Sequence, residues 1–340
     1  MRKWLHILFA AVLVLVGTAV SPVASAAVPE GGSSSVLQLA KVGLGPLPGA
    51  SVMGPVQMET FDQIITGHAW PRPRTLNWPK DLQGDPIVET RRKDKMVHTI
   101  QSYDSLSNLR QMYRRNTPQF EELNPELDLR DLDEGDELVV WKRDDDGVSE
   151  SRGDPQAGRL IRGEPIPDSD DYIVLFPHRT FGTYYTVSET VRILDAYYER
   201  FPDADPLMVG DLSFRTGRSI HPHSSHQSGR DIDITLPRHD PPPNYNRFHR
   251  ITPDNLDAER TLWLLVTLLE GGYVQHIFLD WNHQRTLYDL AAAQGAPDQW
   301  LEEVFQYPSR ERQGIIRHEP GHDTHFHVRF RCQETDRYCY

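Results

Sequence analysis

Fifteen histidines are distributed unevenly along the 340 residues, and two groups of them have the residue types and spacing of a metal site. The first is His221, His223 and His226, followed by Asp231 and Asp233. The second lies far downstream: His318, His322, His325 and His327. Imidazole and carboxylate are ligands that Zn2+ takes, and two such clusters on separated strands are what one ion held from two sides requires. Gly229 permits a tight turn after His226. Beyond it Asp231 and Asp233 alternate with Ile232 and Ile234, which puts both carboxylates on one strand face. In His325-Phe326-His327-Val328-Arg329-Phe330-Arg331 the alternation is strict. Both imidazoles and both guanidiniums share one face, and Phe326, Val328 and Phe330 share the other. The apolar face suits a core, so the polar face must line something. Two imidazoles at this spacing can place one on a metal and the other beside a metal-held water.

The elements that must carry these residues can be read around them. Val187, Val191, Leu194, Tyr198 and Phe201 mark an amphipathic helix, and Leu262, Leu265, Val266 and Leu269 mark a second, closed by Gly271-Gly272. Strands are expected at Leu207–Val209, Val274–Leu279 and His325–Arg331. The expected class for residues 166–340 is therefore α+β, built around an antiparallel sheet. Residues 142–165, charged and containing Gly and Pro, read as a linker. Upstream, residues 95–141 run strand, helix, helix, strand: Met96–Ile100 alternates, Asp104-Ser105 starts a helix through Leu106, Leu109 and Tyr113, Phe120–Leu123 opens another that Asn124-Pro125 stops, and Glu137–Trp141 is a second strand. Residues 27–94, rich in Gly, Ser and Pro, read as a poorly ordered linker.

At the N-terminus Arg2 and Lys3 precede an apolar run from Trp4 to about Val20, and Val23-Ala24-Ser25-Ala26 offers small residues for cleavage. Residues 1–26 thus read as a secretory signal, which implies a periplasmic or secreted, wall-associated protein without a stable membrane anchor. In such a compartment Cys332 and Cys339 are expected to pair as a disulfide. The net charge of -13 argues against sequence-independent nucleic-acid binding, which depends on Lys and Arg neutralising phosphates.

Two resemblances then sharpen the reading. The stretch from "HTIQSYDSLSNLRQMY" through "FEELNP" to "LDEGDELVVW" resembles a LysM module, a family that binds the N-acetylglucosamine-containing glycan of peptidoglycan or chitin. "SSHQSGRDID" and "HFHVR" fit the Ser-x-His-x6-Asp and His-x-His patterns of zinc peptidases of the lysostaphin, D-Ala-D-Ala carboxypeptidase and hedgehog group. More narrowly, "GDLSFRTGRSIHPHSSHQSGRDIDI", "HIFLDWNHQ" and "GHDTHFHVRFRC" resemble the penicillin-insensitive murein endopeptidases over roughly residues 170–335. That resemblance implies Zn2+ on His226, Asp233 and His327, with one coordination position left open to solvent, as a catalytic rather than structural zinc requires. It matches His325 to the catalytic histidine and His322 and His223 to further active-site histidines. Arg218 matches a family arginine and, with nearby Arg215, would suit muropeptide carboxylates. The implied activity is hydrolysis of the D-Ala–meso-diaminopimelate cross-link of peptidoglycan.

The residues leave some alternatives open. Asp231 competes with Asp233 as ligand, or instead orients a ligand histidine. The same site would serve a D,D- or L,D-carboxypeptidase on muropeptides. An inactive peptidoglycan-binding protein and a zinc-stabilised structural domain, with His322 as fourth ligand, are the non-enzymatic readings. His221, His276, His283 and His318 are read as structural.

Overall fold

The computed structural model describes residues 91–144, 147–242 and 246–340, all within one compact unit of residues 58–340. The expected signal segment and nearly all of the 27–94 stretch lie outside the described residues. No helix among the described residues is long and apolar enough to cross a membrane.

Residues 95–142 fold as strand β1 (Lys95–Thr99), helices α1 (Leu106–Met112) and α2 (Thr117–Leu123), and strand β2 (Glu137–Lys142), with β1 and β2 antiparallel. Local chemistry explains the boundaries. The Ser105 side chain accepts from the Asn108 amide at the start of α1, and Asn116 and Gln119 cap α2 reciprocally. Buried Asn124 ends α2 and pins it to β2, donating to the carbonyls of Phe120 and Val139 and accepting from the Val139 amide at 2.8 Å. Leu109, Phe120, Leu138 and Val140 are buried between helices and strands.

This small core does not stop at the expected linker. Leu160 and Phe181 belong to it, and the Trp141 and Phe181 rings meet edge to face at 5.9 Å. Arg114 donates to the Ser219 carbonyl and lies 4.0 Å over the Phe214 ring. Residues 150–165, read from their charge and Gly/Pro content as a linker, instead form β3 (Glu150–Arg152), β4 (Arg159–Ile161) and β5 (Glu164–Pro165). Composition misled there because these short strands draw their partners from distant chain. β3 pairs with β4, β5 pairs with β7 (Phe181–Gly182), and the Ser151 amide donates to Asp336 at 2.8 Å.

The remainder is mixed α and β around one mostly antiparallel six-stranded sheet, in the order β11-β10-β12-β9-β8-β6: Ile316–His318, Val274–Leu279, His325–Phe330, Asp231–Thr235, Leu207–Val209 and Tyr172–Val174. The two outer pairs, β10 with β11 and β6 with β8, are parallel. Helices α3 (Tyr184–Arg200), α4 (Ala258–Glu270), α5 (Trp281–Ala293) and α6 (Asp298–Val304) complete this part. α3 and α4 contribute Val191, Leu194, Leu265 and Leu268 to the same core as Ile232 and Ile234 of β9 and Phe326 and Val328 of β12. That apolar face buries the two central strands and leaves their polar face to the site.

Cys332 and Cys339 are disulfide-bonded. The loop they close is knitted to β3, with the Gly153 amide donating to the Tyr338 carbonyl at 2.7 Å and the Arg337 amide to Glu150. Arg230, fully buried, donates to the carbonyls of Phe330 and Tyr340 and so ties that loop to β12.

Candidate active site

Strand register brings the two histidine clusters together. β9 and β12 are antiparallel, with Asp233 opposite His327 and Asp231 opposite Arg329. Facing pairs in an antiparallel ladder have side chains on the same face, so two carboxylates, two imidazoles and one guanidinium converge. The loop before β9 supplies the rest. Gly229, at φ +74, makes the turn, and a Cβ there would meet Leu160 at 2.7 Å. His226 is itself held at φ 62, a left-handed backbone costly for a residue with a Cβ, and its amide donates to Asp231 Oδ2 at 3.0 Å.

The two aspartates differ in what surrounds them. Asp231 is occupied: Arg329 Nε donates to Oδ1 at 2.8 Å and a second Arg329 nitrogen to Oδ2 at 3.2 Å, while His327 Nε2 lies 3.3 Å from Oδ1. Asp233 Oδ1 is buried within 3.3 Å of His226 Nε2, 3.4 Å of His327 Nδ1 and 3.6 Å of His325 Nε2. Yet it finds no hydrogen-bond donor among the described residues, and buried His226 Nε2 is likewise without a hydrogen bond. Buried polar atoms are rarely left so, and a place shaped for an ion is one cause. The far nitrogen of His226 lies 3.0 Å from the Leu212 carbonyl, which accepts from Nδ1–H and leaves Nε2 as the nitrogen that faces Asp233.

His223 stands on the same side. Its Nε2 lies 2.7 Å from Asp211 Oδ2 and its Nδ1 3.9 Å from Asp233 Oδ2. Ligand atoms of His223, His226 and Asp233 all lie within 4.8 Å of one another, a grouping able to hold a metal ion. His327, expected from the resemblance as the third ligand, has its ring 4.5 Å from that of His226. His322 is half-buried, with its ring 4.8 Å from that of His325.

Charge and burial set the protonation of the cluster. Burial opposes ionisation of Asp233, but the imidazoles of His226 and His325 outweigh it and lower its pKa. Asp231 is held well below the usual carboxylate range against burial by His327 and Arg329. Burial alone would lower His226, but the charge of Asp233 prevails and raises it to about 9. His325 is pushed down to about 3, chiefly by burial. His327 is also lowered, again chiefly by burial.

These residues open onto a cleft of about 510 Å³, lined among others by His223, Phe278, Arg312, His322, His325 and His327. One curated protein similar to this chain is the penicillin-insensitive murein endopeptidase of Yersinia enterocolitica serotype O:8 / biotype 1B. The two are 27% identical over 204 residues, covering 53% of this chain and 67% of the relative. No protein-family model matches.

Two arginines were expected from sequence to meet substrate. Arg218 is exposed and Arg215 half-buried, and neither lines the cleft. Arg215 faces the N-terminal module, where burial and then its neighbouring charge lower the pKa of Arg115 to about 10. Arg312 and Arg329 are the arginines on the cleft wall. Arg329 was visible in the strand alternation, whereas Arg312 sits in an irregular stretch with no local signal. Asp211, which holds His223 and accepts from Arg179, was also missed, because only the fold brings its loop beside β9.

Proposed function

We propose that this chain is an exported zinc metallo-endopeptidase that hydrolyses peptide cross-links of peptidoglycan, with its N-terminal module binding wall glycan. The observation that supports it most is the buried Asp233 oxygen, surrounded by imidazole nitrogens and lacking a hydrogen bond, beside an Asp231 whose lone pairs are engaged. We assign His226, Asp233 and His327 as the ligand set on the resemblance; the ligand atoms that group within 4.8 Å are those of His223, His226 and Asp233, so His223 competes with His327 for the third place. Held there, Zn2+ would supply a water with its pKa lowered to about 7 and a Lewis acid for a carbonyl oxygen.

The chain's own residues account for the remaining chemistry. Burial keeps His325 neutral, so Nε2 presents a lone pair next to the metal site, where we assign it the handling of a proton. Its Nδ1 lies 2.7 Å from Thr324 Oγ1, which fixes the ring. His322, whose ring lies 4.8 Å from that of His325, is the group we assign to pass that proton toward a leaving amine. Asp231 keeps His327 oriented so that Nδ1 faces Asp233. A muropeptide carries free carboxylates, and Arg312 on the cleft wall, which pairs with Glu319 at 3.2 Å, is the cation we assign to one in exchange for that partner. The murein named for the similar Yersinia protein is the substrate class that fits these features.

In the N-terminal module a second cavity, about 300 Å³, lies between the turn after β1 (Ile100, Asp104) and the segment after α2 (Leu129, Arg130, Leu132). It is the position we assign to glycan.

Digestion of purified sacculi with and without a chelator, with products identified by mass, tests the proposal. Release of monomeric muropeptides from dimers, abolished by chelator and restored by Zn2+, is the expected result. Release of free D-alanine alone would make the enzyme a carboxypeptidase, and no chelator-sensitive product would end the metallopeptidase reading.

A further inference from the structure

We propose that Phe248 is a positioning residue for His325, seated in a slot that exists because residue 210 has no side chain. The proposal rests on the reading of His325 as the group that handles the proton.

Three observations carry it. The Phe248 ring stacks on the His325 imidazole, with centroids 4.9 Å apart and planes inclined by 29°. Stacking of this kind resists rotation of the imidazole about χ2, which is otherwise a broad torsion. Next, a Cβ built on Gly210 would meet the tip of the Phe248 ring at 2.6 Å, closer than real Cβ contacts come. The glycine is therefore needed for the ring's seat, and also for the approach of Asp233, whose Cβ would lie 3.3 Å away, rather than for a turn. Finally, the chain just after Phe248 is fastened to the residues just before His325. The Ile251 amide donates to the Asp323 carbonyl at 2.8 Å, and Arg250 Nε lies 3.0 Å from Asp323 Oδ2. Clamp and clamped residue are thus one mechanical unit. Thr324 holds the Nδ1 edge, Phe248 covers a face, and Nε2 is left 3.6 Å from Asp233 Oδ1.

Gly210 also touches the metal side of the site, since its amide donates to the Asp233 carbonyl at 2.8 Å. One short segment after β8 therefore supports a proposed ligand through its backbone and admits Phe248 through its missing side chain. The gain is precision: a displacement of about 1 Å at a reacting group costs up to roughly 100-fold in rate, while binding of substrate and metal is unaffected.

The test uses the full-length zinc-loaded protein and a soluble dimeric muropeptide, measuring kcat, KM and zinc content. Phe248→Ala is expected to lower kcat roughly 10-fold or more with KM and zinc content unchanged. Gly210→Ala is expected to lower kcat at least comparably; its added Cβ would also lie 3.3 Å from Asp233 Cβ, so in the Phe248→Ala background only the part of the loss that runs through the ring disappears and the double variant falls short of the product of the two single losses. An unchanged kcat in Phe248→Ala, losses that multiply in the double variant, or zinc lost in step with activity in Phe248→Ala would each overturn the proposal. Should Phe248→Ala fail to fold, Phe248→Leu keeps the apolar cover without the flat ring, and the same outcomes decide. His325→Ala separates the two levels. Wild-type turnover in that variant removes the role assigned to His325 and this proposal with it. An inactive His325→Ala beside a fully active Phe248→Ala removes the positioning role alone.

Discussion

Asp231 and Asp233 differ by two positions on one strand, yet their neighbours give them different expected phenotypes. Asp233→Asn removes the charge at the centre of the imidazoles and is expected to abolish zinc binding and hydrolysis together. Asp231→Asn leaves the ligands in place but loosens His327 and the His226 backbone. It is expected to weaken zinc affinity roughly 10- to 100-fold, with activity recovering at high zinc. Metal titration of the two purified variants checks both. The protonation of the cluster sets a pH dependence for the metal-free protein. His226 is raised from 6.5 to about 9, so its contribution is full below 6.5 and is lost as pH climbs through 9. His325 and His327 are lowered, so the unfolded chain binds more protons than the folded one below 6.5, and stability falls on acidification. Chelated protein is therefore expected to melt highest near pH 6.5, with zinc uptake between pH 7 and 8 releasing a proton from His226. Thermal scans across pH and calorimetry in buffers of different ionisation enthalpy measure the two effects.

At the level of elements, much was legible because local pattern and tertiary environment agree. Strands Val274–Leu279 and His325–Phe330 and helices α3 and α4 lie where period-2 and period-3.6 apolar spacing puts them, since each presents one apolar face to one core. The strands at 150–165 were illegible for the opposite reason: β3, β4 and β5 are short, polar and stabilised by contacts such as Ser151 with Asp336 and Leu160 with the N-terminal core. The disulfide belongs to that assembly. Loop-closure entropy for so short a loop amounts to about 2.5 kcal/mol. Cys332→Ser is thus expected to lower Tm by several degrees, with zinc stoichiometry retained because the ligands sit on β9, β12 and the loop before β9. A variant that loses zinc before it loses Tm would show the loop acting on the site directly.

For the whole molecule, the N-terminal module and the rest share Leu160 and Phe181, both buried, and Arg114 is bonded across the junction. Removing residues 91–141 would uncover both side chains, so the truncated protein is expected to aggregate or melt well below the full chain, as light scattering and calorimetry would show. Point variants are the better probe of glycan binding. Arg130→Ala with Leu132→Ala is expected to weaken co-sedimentation with sacculi while leaving turnover of a small soluble muropeptide within about twofold, since Arg130 is exposed and Leu132 only partly buried, both away from the catalytic cleft. The sequence by itself determined which residues share a face: strict alternation commits His325, His327 and Arg329 to one side of their strand and Asp231 and Asp233 to one side of theirs. Only the tertiary structure decided who meets whom. The pairing of β9 with β12 joins segments far apart in the chain, and that register sets Arg329 on Asp231, leaves Asp233 among the imidazoles, and carries Phe248 and Asp211 to the site from loops whose own sequence holds no periodic signal.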